Sequence, residues 1–221
     1  MEEFQVDGGK MTAYLAAPER GEGPGVLVLH TWWGLTDFFK SFCDRLAGEG
    51  FVVLAPDLYH GATAATIEQA KRLRSKLDRA LARKEITAAA DALRSHPYVR
   101  GDRFATVGFS LGAYWALWLV ESRPSDIAAV VLFYGKRAGD YSGTQARFLG
   151  HFAERDEFES LPAVRKVEKQ MQTAGKQVTF HIYPDTGHWF FEADRSEAYH
   201  PTAAQLAWER TVAFLHDHLG S

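Results

Sequence analysis

Gly108-Phe109-Ser110-Leu111-Gly112 is the segment of this sequence best placed to do chemistry. An apolar run, Phe104 to Val107, leads into it, and a helical pattern, Ala113 to Glu121, leads out. A Gly-x-Ser-x-Gly between strand and helix makes a sharp turn that leaves the serine hydroxyl exposed, and the glycines keep other side chains from crowding it. A helix N-terminus beneath that hydroxyl favours developing negative charge. Serine is a weak nucleophile until a base takes its proton, so Ser110 requires a histidine and an acid to orient that histidine.

In a strand–elbow–helix frame of this kind the chain order is serine, acid, histidine, each in a loop after a successive strand. Of the histidines near the C-terminus, His181 lies inside a strand pattern, His200 precedes Pro201 at a helix start, and His216 and His218 lie in the final helix. His188, in Tyr183-Pro-Asp-Thr-Gly-His-Trp189, follows the last strand pattern directly and is the expected base. Asp156, in Ala153-Glu-Arg-Asp-Glu-Phe158, has the strand-end position expected of the acid. Glu154, Glu157 and Asp185 compete for that role. An oxyanion formed on attack needs two backbone N–H donors, one following the nucleophile and one from the loop after the first parallel strand. Those are Leu111 N–H and, in His30-Thr31-Trp32-Trp33-Gly34, Trp32 N–H. The loop tryptophans, with Trp189, Phe190 and Phe191, are expected to wall an apolar pocket.

The elements that must hold these residues alternate along the chain. Val26–Leu29, Val52–Ala55, Phe104–Val107, Ala128–Phe133 and Arg147–Phe152 are short apolar or mixed runs, and Val178–Tyr183 is a sixth with alternating character; near-continuous apolar runs suit parallel strands buried on both faces. Phe38, Phe42 and Leu46 share a helix face that ends near Gly48 and Gly50. Ser160 and Pro162 open a helix that Gly175 closes. Leu206, Val212 and Leu215 mark a last helix. Phe4–Val6 and Met11–Leu15 flank Asp7-Gly8-Gly9-Lys10 and read as an antiparallel hairpin. Leu73, Leu77 and Leu81 predict one amphipathic helix carrying Lys71, Arg72, Arg74, Lys76, Arg79, Arg83 and Lys84 on its solvated face. The expected architecture is one α/β domain over residues 1–221, a mostly parallel twisted sheet with helices on both faces and an antiparallel N-terminal edge.

Composition narrows the function. A net charge of −3 lacks the basic excess of a nucleic-acid binder. A single cysteine, Cys43, allows no intramolecular disulfide, and with dispersed histidines it gives no zinc spacing, so no metal is expected. No Walker or dinucleotide motif appears, and no cofactor is expected. Met-Glu-Glu-Phe has no signal-peptide character, and the longest strongly apolar run, Ala113–Val120, is too short to span a bilayer. The expectation is a cytoplasmic chain, monomeric or homodimeric, with a small-molecule partner and no membrane or nucleic-acid partner.

With these residues in view, the sequence resembles the dienelactone hydrolase branch of the α/β-hydrolases. The resemblance rests on Trp33-Gly34-Leu35, Leu54-Ala-Pro-Asp-Leu-Tyr59, the Gly108–Gly112 elbow, the Asp156 loop and Gly187-His188. It implies a small, capless, cofactor-free hydrolase using Ser110, Asp156 and His188, with Thr31, Trp33, Tyr59, Trp189, Phe190 and Glu192 around the substrate. The family's usual nucleophile is cysteine, where this chain has Ser110. A glutamate of the oxyanion loop is here Thr31, and a carboxylate-binding arginine four residues after the histidine is here Glu192. The departures imply a serine carboxylesterase for neutral or apolar esters, with Glu192 repelling anionic ones. A thioesterase, a lactone hydrolase and a catalytically idle binding scaffold are the alternatives.

Overall fold

The structure, a computed structural model, describes residues 1–6 and 9–220. Among the described residues eight strands, β1 (Glu2–Val6), β2 (Gly9–Ala16), β3 (Gly23–Leu29), β4 (Val52–Pro56), β5 (Val99–Phe109), β6 (Ile127–Phe133), β7 (Arg147–Ala153) and β8 (Val178–Tyr183), follow the order β1-β2-β4-β3-β5-β6-β7-β8 in one sheet. The chain divides into two compact units, Met1–Phe104 and Ala105–Gly220.

In the first unit, β1 (Glu2–Val6) and β2 (Gly9–Ala16) pair antiparallel, and β2 pairs antiparallel with β4 (Val52–Pro56). Asp7 and Gly8 of the expected turn lie outside the described residues. Strand β3 (Gly23–Leu29) runs parallel to β4 with Leu27 opposite Leu54, and both are buried along their whole length. Helix α1 (Asp37–Gly48) buries Phe39, Phe42, Cys43 and Leu46, while Phe38 is only half-buried. Cys43 is fully buried, and desolvation pushes its thiol well above the ordinary range, so it is a packing residue rather than a reactive one.

The expected single basic helix is two. Helix α2 (Ile67–Lys76) stops at Leu77, and α3 (Arg79–Arg94) starts on Asp78, whose Oδ1 accepts from Ala80 N–H at 2.8 Å and Leu81 N–H at 3.2 Å. An aspartate that satisfies two orphan donors of a new helix outcompetes continuation of a leucine spacing. Leu73, Leu77 and Leu81 are accordingly half-buried, and Ala82, Ile86, Ala89 and Leu93 form the buried stripe of α3.

In the second unit, β5 (Val99–Phe109), which starts in the first, enters α4 (Leu111–Ser122) through Ser110. Strands β6 (Ile127–Phe133), β7 (Arg147–Ala153) and β8 (Val178–Tyr183) pair in parallel, with Phe133 opposite His151 and Ala153 opposite Tyr183. Helix α5 (Leu161–Thr173) packs on β8, and α6 (Pro201–Leu219) packs on β6 and β7. Leu206, expected on the inner face of α6, is 40% exposed; the buried stripe is Ala203, Ala207, Trp208, Thr211 and Leu215. Among the described residues no helix is long and apolar enough to cross a membrane.

Candidate active site

Ser110 sits at φ 50° and ψ −107°, a conformation that L-residues adopt only at a cost of about 1–3 kcal/mol and only where their surroundings enforce it. Two contacts do so. Ser110 N–H donates to Phe133 O at 2.9 Å, tying the turn to the end of β6. At Gly108, a Cβ would lie 2.4 Å from Gly112 O and 2.7 Å from Ala113 Cα, so only glycine lets α4 turn back over the strand this closely. Leu111 opens α4, and its N–H is one of the first-turn donors that an α-helix cannot satisfy internally.

Asp156 and His188 come from the loops after β7 and β8, and those loops are tied together. Glu154 N–H donates to Tyr183 O at 3.0 Å, Arg155 N–H to Thr186 O at 2.9 Å, and Asp185 N–H to Glu154 Oε2 at 3.0 Å. Asp156 Oδ1 accepts from Phe158 N–H at 2.8 Å and Glu159 N–H at 2.9 Å, which turns the chain and aims Oδ2 at the histidine. His188 Nδ1 lies 2.7 Å from Asp156 Oδ2, and His188 Nε2 lies 2.9 Å from Ser110 Oγ. The His188 and Asp156 side chains are 4% and 1% exposed, so the relay is screened from water. Of the competing acids, Glu154 holds the loop, Asp185 pairs with Arg155, and Glu157 is exposed. The structure brings Ser110, His188 and Asp156 together and leaves the alternatives outside.

Around this relay lies an aromatic shell. Phe158 is 47% exposed, with its ring 4.9 Å from the His188 ring and 5.2 Å from Trp189. Tyr134 packs on His188 at 4.9 Å between ring centroids. Neither Phe158 nor Tyr134 has a periodicity or motif that singles it out in the sequence.

Two residues expected to line the pocket lie in the core instead. Phe190 is fully buried between Tyr134 and Tyr183, at 5.7 Å and 4.9 Å, and is core rather than wall. Glu192 is also fully buried, and its Oε1 accepts from the Tyr134 hydroxyl at 2.7 Å. Burial pushes the Glu192 carboxyl up to about 8, with Asp194 adding to the rise while Tyr134 and Arg195 oppose it. Near neutral pH it is mostly uncharged, so it cannot repel an anionic ester as expected. The Tyr134 phenol is pushed up as well, first by burial and then by Glu192.

The remaining expected residues lie in the first unit. Thr31 is fully buried, and its Oγ1 accepts from Trp33 N–H at 3.2 Å, which shapes the loop after β3. Trp32 and Trp33 are 7% and 3% exposed and meet edge-on at 5.5 Å. Tyr59 packs its ring edge-on to His30 at 5.3 Å, and burial pushes its hydroxyl up to about 12.

The state of Glu192 has a consequence for stability. Its carboxyl keeps its proton up to about pH 8 in the folded chain but loses it near the ordinary value of 4.5 when unfolded. The folded state therefore binds the extra proton between those values, and stability falls as pH rises from about 4.5 to about 8. The loss amounts to about 3–5 kcal/mol at most, some 10 °C in melting temperature for a chain of this size. Glu192→Gln, which cannot ionise, is expected to melt close to wild type at pH 5 and well above it at pH 9. Thermal melts of both proteins at the two pH values check this; a gap that does not widen with pH contradicts it.

Comparison with known proteins agrees with this architecture. The profile of the dienelactone hydrolase family matches residues 11–219. Protein usf of Aquifex pyrophilus is 34% identical, with 99% of this chain and 98% of that protein covered. A Bradyrhizobium protein provisionally named 2-oxo-3-(5-oxofuran-2-ylidene)propanoate lactonase is 30% identical over 97% of this chain and 92% of its own. Among solved structures, one provisionally titled as a dienelactone hydrolase of Klebsiella pneumoniae superposes with a TM-score of 0.84 at 25% identity, covering 98% of each chain. The fold is that of the α/β-hydrolases.

Proposed function

Since the chain belongs to the dienelactone hydrolase family and is a hydrolase, we propose that it cleaves carboxylic esters through an acyl-enzyme on Ser110. The observation that carries this reading is the unbroken relay from Ser110 Oγ to His188 Nε2 at 2.9 Å and from His188 Nδ1 to Asp156 Oδ2 at 2.7 Å. In the proposed reaction His188 takes the serine proton as Oγ attacks the ester carbonyl. Leu111 N–H, at the start of α4, stabilises the oxyanion. His188 then gives the proton to the leaving alcohol, and water, activated by the same imidazole, releases the acid. Asp156 holds the tautomer in which Nδ1 carries a hydrogen and stabilises the imidazolium.

The leaving oxygen must approach His188 Nε2 to receive its proton, so the alcohol portion of the substrate lies beside the imidazole. The apolar surface there is Phe158, about half exposed, backed by Trp189. This favours small neutral esters whose alcohol is apolar or aromatic. Covering one aromatic face is worth about 1–2 kcal/mol, roughly 5- to 30-fold in kcat/KM. Phe158→Ala is expected to lose that factor on phenyl and benzyl esters and little on methyl esters of the same acid. Equal losses on both would remove Phe158 from leaving-group recognition.

A second reading, lactone hydrolysis, is favoured by the lactonase name of the Bradyrhizobium relative. A lactone is an internal ester and needs the same three residues. Rates on a matched set of open-chain ester, thioester and lactone decide among these substrates; no turnover of any of them, with Ser110 unreactive, would leave the idle-scaffold alternative.

A further inference from the structure

Three consecutive residues, Phe133-Tyr134-Gly135, touch both reacting partners of the relay. Phe133 O accepts the Ser110 N–H at 2.9 Å. Gly135 lies so close to the nucleophile that a Cβ there would be 2.5 Å from Ser110 O and 3.0 Å from Ser110 Cα. Between them, Tyr134 turns its ring onto His188, 4.9 Å between centroids and inclined at 56°. The segment thus sets the nucleophile and the base relative to one another.

Tyr134 is held in a costly state to do so. It is fully buried, with φ at 37°, in the left-handed region that a bulky residue rarely occupies. Its N–H donates to His151 O at 2.8 Å, which anchors the backbone to β7. Its hydroxyl donates to Glu192 Oε1 at 2.7 Å. Glu192 in turn lies in the turn that follows His188, with its N–H donating to Trp189 O at 2.9 Å. A carboxyl in the core is expensive without compensation, and Glu192 Oε2 is buried with no hydrogen-bond partner among the described residues. A leucine would fill such a position at less cost to stability; the carboxyl provides the acceptor that fixes the phenol.

We propose that Tyr134 is a positioning residue for His188, and that Glu192 sets the Tyr134 ring by accepting its hydroxyl hydrogen bond. The inference rests on the Ser110–His188–Asp156 reading of the site. Reactivity between Oγ and Nε2 depends steeply on their placement, so loosening the ring slows chemistry without altering substrate affinity.

The test is steady-state kinetics on a p-nitrophenyl ester with four variants, each shown folded by circular dichroism and melting well above the assay temperature. Tyr134→Phe cuts the tether and keeps the ring; Glu192→Leu cuts it from the other side. Both are expected to lower kcat about 10- to 100-fold with KM unchanged, and to slow labelling of Ser110 by a fluorophosphonate in proportion. Glu192→Gln keeps a carbonyl acceptor and is expected to restore kcat to within about threefold of wild type. The double variant Tyr134→Phe/Glu192→Leu is expected to be no worse than the poorer single, because both act through one hydrogen bond. Unchanged kcat in both single variants, strictly multiplicative losses in the double, or losses confined to KM or melting temperature would overturn the inference. Ser110→Ala separates the two layers. If it stays active, the relay reading and this inference both fall; if it is dead while Tyr134→Phe and Glu192→Leu keep wild-type kcat, only this inference falls.

Discussion

Ser110→Ala is expected to fold as wild type does and to lose nearly all ester hydrolysis. The elbow is held by backbone: the Ser110 N–H bond to Phe133 O and the close approach of Gly108 to α4 do not involve the hydroxyl. Alanine in the left-handed region costs about as much as serine there, so stability should change little. The hydroxyl, in contrast, is the only atom of Ser110 that can form the acyl bond. Where such a relay acts as a unit, loss of its serine lowers turnover by a factor on the order of 10⁶. Turnover by purified Ser110→Ala, with its melting curve as the folding control, checks this. A folded variant retaining a tenth of wild-type activity would remove Ser110 as the nucleophile.

Asp156→Asn should be nearly as damaging, for a different reason. Oδ1 of Asp156 accepts two backbone N–H groups, and an asparagine carbonyl can take over both bonds. The amide nitrogen then faces His188 Nδ1, where Oδ2 stood. Two donors cannot share that contact, so the imidazole shifts its hydrogen to Nε2 and presents N–H to the serine. A histidine in that tautomer cannot take the Ser110 proton. The corresponding change in a serine protease relay lowers kcat about 10⁴-fold, and a loss of that order is expected here. The loop itself should stay intact, so a melting temperature within a few degrees of wild type, together with collapsed kcat, is the predicted pair of results. Near-wild-type kcat would mean that another acid orients His188.

The relay was legible in the sequence because each member sits at a landmark that local pattern can find. Ser110 lies between two glycines at a change from strand to helix, and Asp156 and His188 follow directly on the strand patterns Arg147–Phe152 and Val178–Tyr183. What surrounds the relay was not legible. Tyr134 ends a run of apolar residues and looks like core, and it is core; its role depends on the ring's approach to His188, which no spacing encodes. The inward course of Glu192 is hidden for the same reason. The family resemblance sets a charge facing substrate at this position, but the turn at Trp189 carries Glu192 inward to Tyr134 and desolvation neutralises it. The break between α2 and α3 was hidden because leucine spacing carries across it, while the Asp78 cap acts at a single residue. Periodicity reports faces of elements; it is silent on capping competition and on contacts between loops distant in sequence.

A serine activated through His188 reacts with electrophilic phosphorus, and an unactivated one does not. The decisive measurement is treatment of the protein with a fluorophosphonate, the adduct being located by peptide mass spectrometry. One phosphonyl group per chain is expected, on Ser110, formed far more slowly in His188→Ala. No adduct on the folded wild-type protein, an adduct on another residue, or equal labelling of the His188→Ala variant would contradict activation of Ser110 through His188.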